Sequence, residues 1–91
     1  MDDSLTRPPQ GVSLNDLSAS VFALLARHTA FPWPVLKTQA ERMGYDGSNL
    51  GPRELEAITE LIARGVARFN SPEAGRAVQL ELKDLVAEQL E

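Results

Sequence analysis

Apolar residues recur at helical spacing in three stretches of the chain. In the first, Leu17, Val21, Leu24, Leu25 and His28 share one face, with Ser18, Ser20 and Arg27 off it. Ser13 reads as the N-cap, Asp16 follows three residues later, and Val12 and Leu17 are spaced as a hydrophobic staple. In the second, Pro34 is placed to open a helix that runs through Val35, Leu36, Gln39, Ala40 and Met43 and stops at Gly44. Tyr45 to Asn49 is a loop by its turn chemistry. The third stretch begins near Gly51-Pro52, places Leu55, Ile58, Leu61 and Ile62 on one face, and ends at Gly65.

Beyond Gly65 the period changes. Val66 to Phe69 is short and compatible with a strand, and Asn70 to Gly75 is rich in turn residues. Val78 to Lys83 alternates apolar and polar for six residues, the pattern of a half-buried strand. Leu85, Val86 and Leu90 then suggest a short closing helix. The same residues admit a second reading. Ser71-Pro72-Glu73 is also a helix start, and Val78, Leu82, Leu85, Val86 and Leu90 also fit one helical face. A single helix from Pro72 to Leu90 would make the protein all-α, would carry Gly75 at about 1 kcal/mol against alanine, and would turn Leu80 off the apolar stripe. The hairpin is favoured, which gives an α+β, mostly helical chain: a three-helix core, a β-hairpin and a short last helix. Residues 1–12 are expected to be a flexible tail and 13–91 a single domain.

That element order, together with three spacings, resembles the winged-helix (winged helix-turn-helix) domain of MarR-like regulators. Leu61 stands four residues before Gly65, Arg68 follows on the next segment, and Arg76 comes after the turn, as in the third helix and wing of that family. The resemblance covers roughly residues 14–83 and is specific in the last thirty. It implies a third helix and a wing available to bind DNA, or a module turned to protein interaction.

Charge bears on that choice. The net charge is −4. Residues 1–16 sum to −2, residues 78–91 to −3, and the body between them to +1. No basic stripe of the kind a strong nucleic-acid binder carries stands out. Lys37, Arg42, Arg53, Arg68 and Arg76 are the candidate phosphate contacts for DNA binding. Against it, Glu56 and Glu60 fall on the outward face of the third helix, beside Arg53 and Arg64. Glu60 and Arg64 are spaced as an i,i+4 pair. Protein–protein interaction or dimerisation is therefore placed ahead, with Trp33, Phe31, Glu56, Glu60, Leu85 and Leu90 as the candidate interface. Core packing is the simpler reading for Trp33, and packing against the first helix the simpler one for Leu85 and Leu90.

Other chemistry finds little support. With no cysteine there is neither a disulfide framework nor a thiolate metal site. His28, the sole histidine, stands at a helix end, where contact with terminal carbonyls is the expected role. Asp46-Gly47-Ser48-Asn49 lacks the further acids of a calcium loop, and Gly44, Gly47 and Gly51 lack the spacing and lysine of a phosphate loop. No cofactor or small-molecule ligand is implied. The partner is expected to be another protein or a second copy, with DNA as the alternative. An acidic, polar opening is not a signal peptide, and no apolar run approaches a membrane span, so the chain is expected in the cytoplasm.

Overall fold

The computed structural model describes residues 11–90. Most of the tail expected over residues 1–12 lies outside that range, as does Glu91. The described residues form four helices and no strand.

Asn15, rather than Ser13, caps the first helix, α1 (Asp16–Ala26), and its Oδ1 accepts from the Ser18 N–H at 2.8 Å. The same side chain donates through Nδ2 to the Leu50 carbonyl at 2.9 Å, and the Asn15 N–H donates to the Ser48 carbonyl at 2.9 Å. Ser18, which periodicity puts off the buried face, is fully buried because its hydroxyl accepts from the Leu50 N–H at 3.0 Å. Three of these bonds staple the 43–51 loop to the start of α1 and bury Leu50. The loop itself is closed by Asp46, whose carboxylate accepts from the Ser48 hydroxyl at 2.6 Å and N–H at 2.9 Å. Those two bonds hold its carboxyl below the ordinary carboxylate range, the hydroxyl contributing most.

Prolines open the next three helices. The second, α2 (Pro32–Arg42), begins two residues earlier than the sequence suggests and ends at Gly44, whose φ is +77°. Tyr45 N–H donates to Ala40 O at 2.9 Å and Gly44 N–H to Glu41 O at 3.0 Å, the paired bonds of a Schellman end. The third, α3 (Pro52–Phe69), starts with the Glu54 carboxylate accepting from the Gly51 N–H at 2.7 Å. The fourth is α4 (Pro72–Leu90), which starts with the Ser71 hydroxyl accepting from the Ala74 N–H at 3.1 Å.

The β-hairpin wing is therefore absent, and with it the winged-helix and MarR-like resemblance is overturned: the described residues are all-α, with one long C-terminal helix. Gly65 does not end α3. It is a buried interior residue where an added Cβ would stand 3.3 Å from Gln39 Nε2 and 3.6 Å from Val35, both on α2. Val66 to Phe69 continues that helix, with Val66 fully buried. Gly75 is not a turn residue either. An added Cβ would lie 2.6 Å from the Ala67 Cβ and 2.7 Å from the Ala63 carbonyl. Its bare backbone lets α4 lie directly on α3, and this is the most extensive helix pair in the molecule. The alternation over 78–83 arises because Val78 and Leu82, four apart, are both buried, while Leu80 between them is 60% exposed.

The core gathers Leu17, Val21 and Leu25 from α1, Val35 and Leu36 from α2, Leu55, Ile58 and Ile62 from α3, and Val78, Leu82 and Val86 from α4. The end of α1 is tied to the α3–α4 pair twice. Glu81 bridges Arg27 and His28, contacting His28 Nε2 at 2.5 Å, and Asn70 Nδ2 donates to the His28 carbonyl at 2.8 Å. The His28 ring thus meets a carboxylate rather than helix-terminal carbonyls.

Two substitutions test this architecture. Gly75→Ala raises helix propensity by about 1 kcal/mol, yet the overpacked Cβ costs more. The expected result is a net loss of about 1–2 kcal/mol in urea denaturation; a rise in the midpoint would contradict the close α3–α4 contact. Asn15→Ala removes a cap worth about 1 kcal/mol and tertiary bonds worth about as much again. A loss near 2 kcal/mol at unchanged denaturant slope is expected.

Candidate functional site

Three grooves run along α3, and they differ in chemistry. Two lie on the α3–α4 seam and mix signs. One is lined by Glu60, Arg64, Arg76 and Gln79, the other by Glu56, Glu60, Lys83 and Leu90. The third and largest, about 580 Å³, lies between α2 and α3. Its walls are Phe31, Pro34, Val35, Leu61 and Phe69, and Arg42, Arg64 and Arg68 line it with no carboxylate among them.

The local sequence explains this groove. The α2 N-cap Phe31 and then Val35, Thr38 and Arg42, at i+4, i+7 and i+11, descend one flank of the helix, while Leu36 and Ala40 turn into the core. Opposite them Leu61, Arg64, Gly65 and Arg68 form the facing flank of α3. Gly65 has no side chain to fill the space, so the groove floor comes down to backbone and to Gln39. Gln39 is only 6% exposed, and its Oε1 has no hydrogen-bond partner among the described residues. Phe31 at 44% and Phe69 at 68% exposure are large apolar side chains that the fold leaves in water at this groove.

The arginines are disposed toward solvent, and no described carboxylate lies within salt-bridge distance of Arg42, Arg64 or Arg68. The i,i+4 pairing expected of Glu60 with Arg64 does not form. Lys37, by contrast, is paired with Glu41 at 2.6 Å on the outer face of α2. Thr38 is the one hydroxyl in the groove lining, and no histidine or carboxylate stands with it to serve as a base. Among the described residues no group of three or more histidines, aspartates or glutamates could hold a metal ion, and no helix is long and apolar enough to cross a membrane.

The residues singled out from sequence are thus divided. Phe31, Arg42 and Arg68, drawn from two rival hypotheses, come together in the α2–α3 groove. Trp33 is half-buried and packs against the core, as does Leu85. Glu56, Glu60, Arg76 and Leu90 belong to the α3–α4 seam, and Arg53 is exposed at the start of α3. Phe69 and Gln39 were not singled out, and Arg64 was read only as an outward residue paired with Glu60, not as a site residue. Spacing could have found Arg64, because it lies four residues before Arg68 and so shares its helix face. No family model, curated protein or solved structure matches the chain.

Trp33 and Phe31 should therefore separate in mutants. Trp33→Ala is expected to cost about 2 kcal/mol, or roughly 10 °C in melting temperature. Phe31→Ala should cost less than about 1 kcal/mol. Equal losses in thermal denaturation would place both residues in the core.

Proposed function

We propose that this chain is a non-enzymatic protein-binding module, and that the α2–α3 groove is where it receives a segment of its partner. One observation carries the reading: two exposed phenylalanines and three arginines line a single groove that contains no carboxylate. Aromatic residues and arginine are the types enriched at the energetic centres of protein interfaces. A volume near 580 Å³ admits several side chains from one face of a docked helix or strand.

The same arginines are what a DNA-binding reading would use, and it remains the competing proposal. Its weaker support is structural as well as electrostatic. Nine residues, 43–51, separate Arg42 from Pro52, whereas a helix-turn-helix joins its helices through a turn of about three or four. The chain is also acidic overall, at −4.

The full chain, immobilised and exposed to lysate of its own cell with and without nuclease, separates the two. Capture of a protein that survives nuclease, is lost in Arg64→Glu/Arg68→Glu and is kept in Arg53→Glu is the expected outcome. Capture that disappears with nuclease would turn the assignment to nucleic acid.

A further inference from the structure

The buried residues of α4 fix which way its other faces point. Gly75, Val78, Leu82 and Val86 face inward. On a helix of 3.6 residues per turn, the opposite side then carries Glu73, Leu80, Asp84 and Glu88, all of them exposed. The basic residues of α4 are not on that side: Arg76 and Lys83 lean toward α3, where they line the seam grooves with Glu60. The outward stripe therefore has three carboxylates, no cation, and Leu80 at 60% exposure. It is complementary to a groove with three guanidinium groups, no carboxylate and apolar walls.

We propose that the occupant of the α2–α3 groove is a second copy of this chain, whose α4 enters by its outward stripe; this rests on the groove being a protein-binding site. Spacing matches as well as sign. Asp84 and Glu88 are four residues apart on α4, and Arg64 and Arg68 four apart on α3, so each pair is about 6 Å apart along its helix axis. With the α4 of one copy parallel to the α3 of the other, Asp84 meets Arg64, Glu88 meets Arg68, and Leu80 lies over Leu61, at the end of the groove away from Phe31 and Phe69. Arginine–carboxylate pairs of this kind can be bidentate. Within one molecule the match cannot be made, because α4 is already packed on its own α3 by its opposite face. Every copy offers one groove and one stripe, and the proposed pair exchanges them reciprocally about a twofold axis. The arginine–carboxylate pairs are solvent-exposed and each adds little affinity, so association should fall in the micromolar range.

Sedimentation equilibrium of the full chain at low salt, across the micromolar range, tests this. The mass should rise with concentration from 9.9 kDa toward twice that value. Arg64→Glu/Arg68→Glu and Asp84→Lys/Glu88→Lys should each weaken association at least about tenfold. An equimolar mixture of the two variants should restore it, because each reversed groove then meets a reversed stripe. All four positions are exposed, and the neutral pairs Arg64→Gln/Arg68→Gln and Asp84→Asn/Glu88→Gln replace either reversal that loses helical circular dichroism. A wild type that stays monomeric throughout overturns the proposal, as does a mixture no tighter than its components. A monomer that still captures a protein through Arg64 and Arg68 overturns self-pairing alone. A dimer indifferent to those arginines overturns the use of the groove.

Discussion

The approach of α4 to α3 at Gly75 is the contact on which the other placements depend. With a Cβ at residue 75 meeting Ala67 at 2.6 Å and the Ala63 carbonyl at 2.7 Å, the two helices could not lie as they do. Because they do, Val78, Leu82 and Val86 reach the core and close it from one side. The seam also occupies one flank of α3, which leaves the other to α2. There the second interior glycine, Gly65, lets Val35 and Gln39 sit down on the helix. One helix thus serves as the wall between a filled seam and an open groove. The bare backbone that fits α2 to α3 also leaves the groove its depth.

The first half of the fold was legible from local rules because those rules are decided locally. Gly44 ends α2 with positive φ, Pro52 opens α3, and the inward faces of α1 and α3 follow the apolar spacing. The second half was not, because glycine has two uses that look alike in one dimension. Gly65 and Gly75 were read as an end and a turn, whereas both are buried interior residues at helix crossings. The residues from Val78 to Lys83 are too few to separate a period of 2 from one of 3.6, since Val78 and Leu82 satisfy both. Only a tertiary fact, the nearness of Ala63 and Ala67, decides between them. The small residues at 63 and 67 were visible in the sequence, but nothing local says that a small i,i+4 pair faces a glycine twelve and eight residues away.

The candidate site was legible in parts. Phe31, Arg42 and Arg68 were each in view, but as members of competing lists, because a sum of charge over residues 17–77 conceals how the charge is sorted. The body is near neutral on average, yet the α2–α3 groove collects arginines and no carboxylate. Arg42 and Arg68 face that groove, Arg64 borders both it and the seam, and Glu56 and Glu60 lie along the seam with Arg76 and Lys83. An acidic recognition face and a basic wing were thus a mistaken partition of two real surfaces on opposite flanks of one helix.

That segregation also bears on how selective the groove can be. A solvent-exposed arginine–carboxylate pair contributes only about 0.2–1 kcal/mol, so such pairs orient a partner more than they hold it. Apolar contact at Phe31, Leu61 and Phe69 must then supply most of the binding energy, at about 25 cal/mol per Å² buried. Gln39 adds a further demand. Its Oε1 is buried without a donor among the described residues, and leaving such a group unsatisfied carries a penalty of roughly 1–3 kcal/mol. An occupant or a water that supplies a hydrogen-bond donor at the groove floor relieves that penalty. Charge therefore selects the class of segment admitted, while the floor of the groove distinguishes among members of that class.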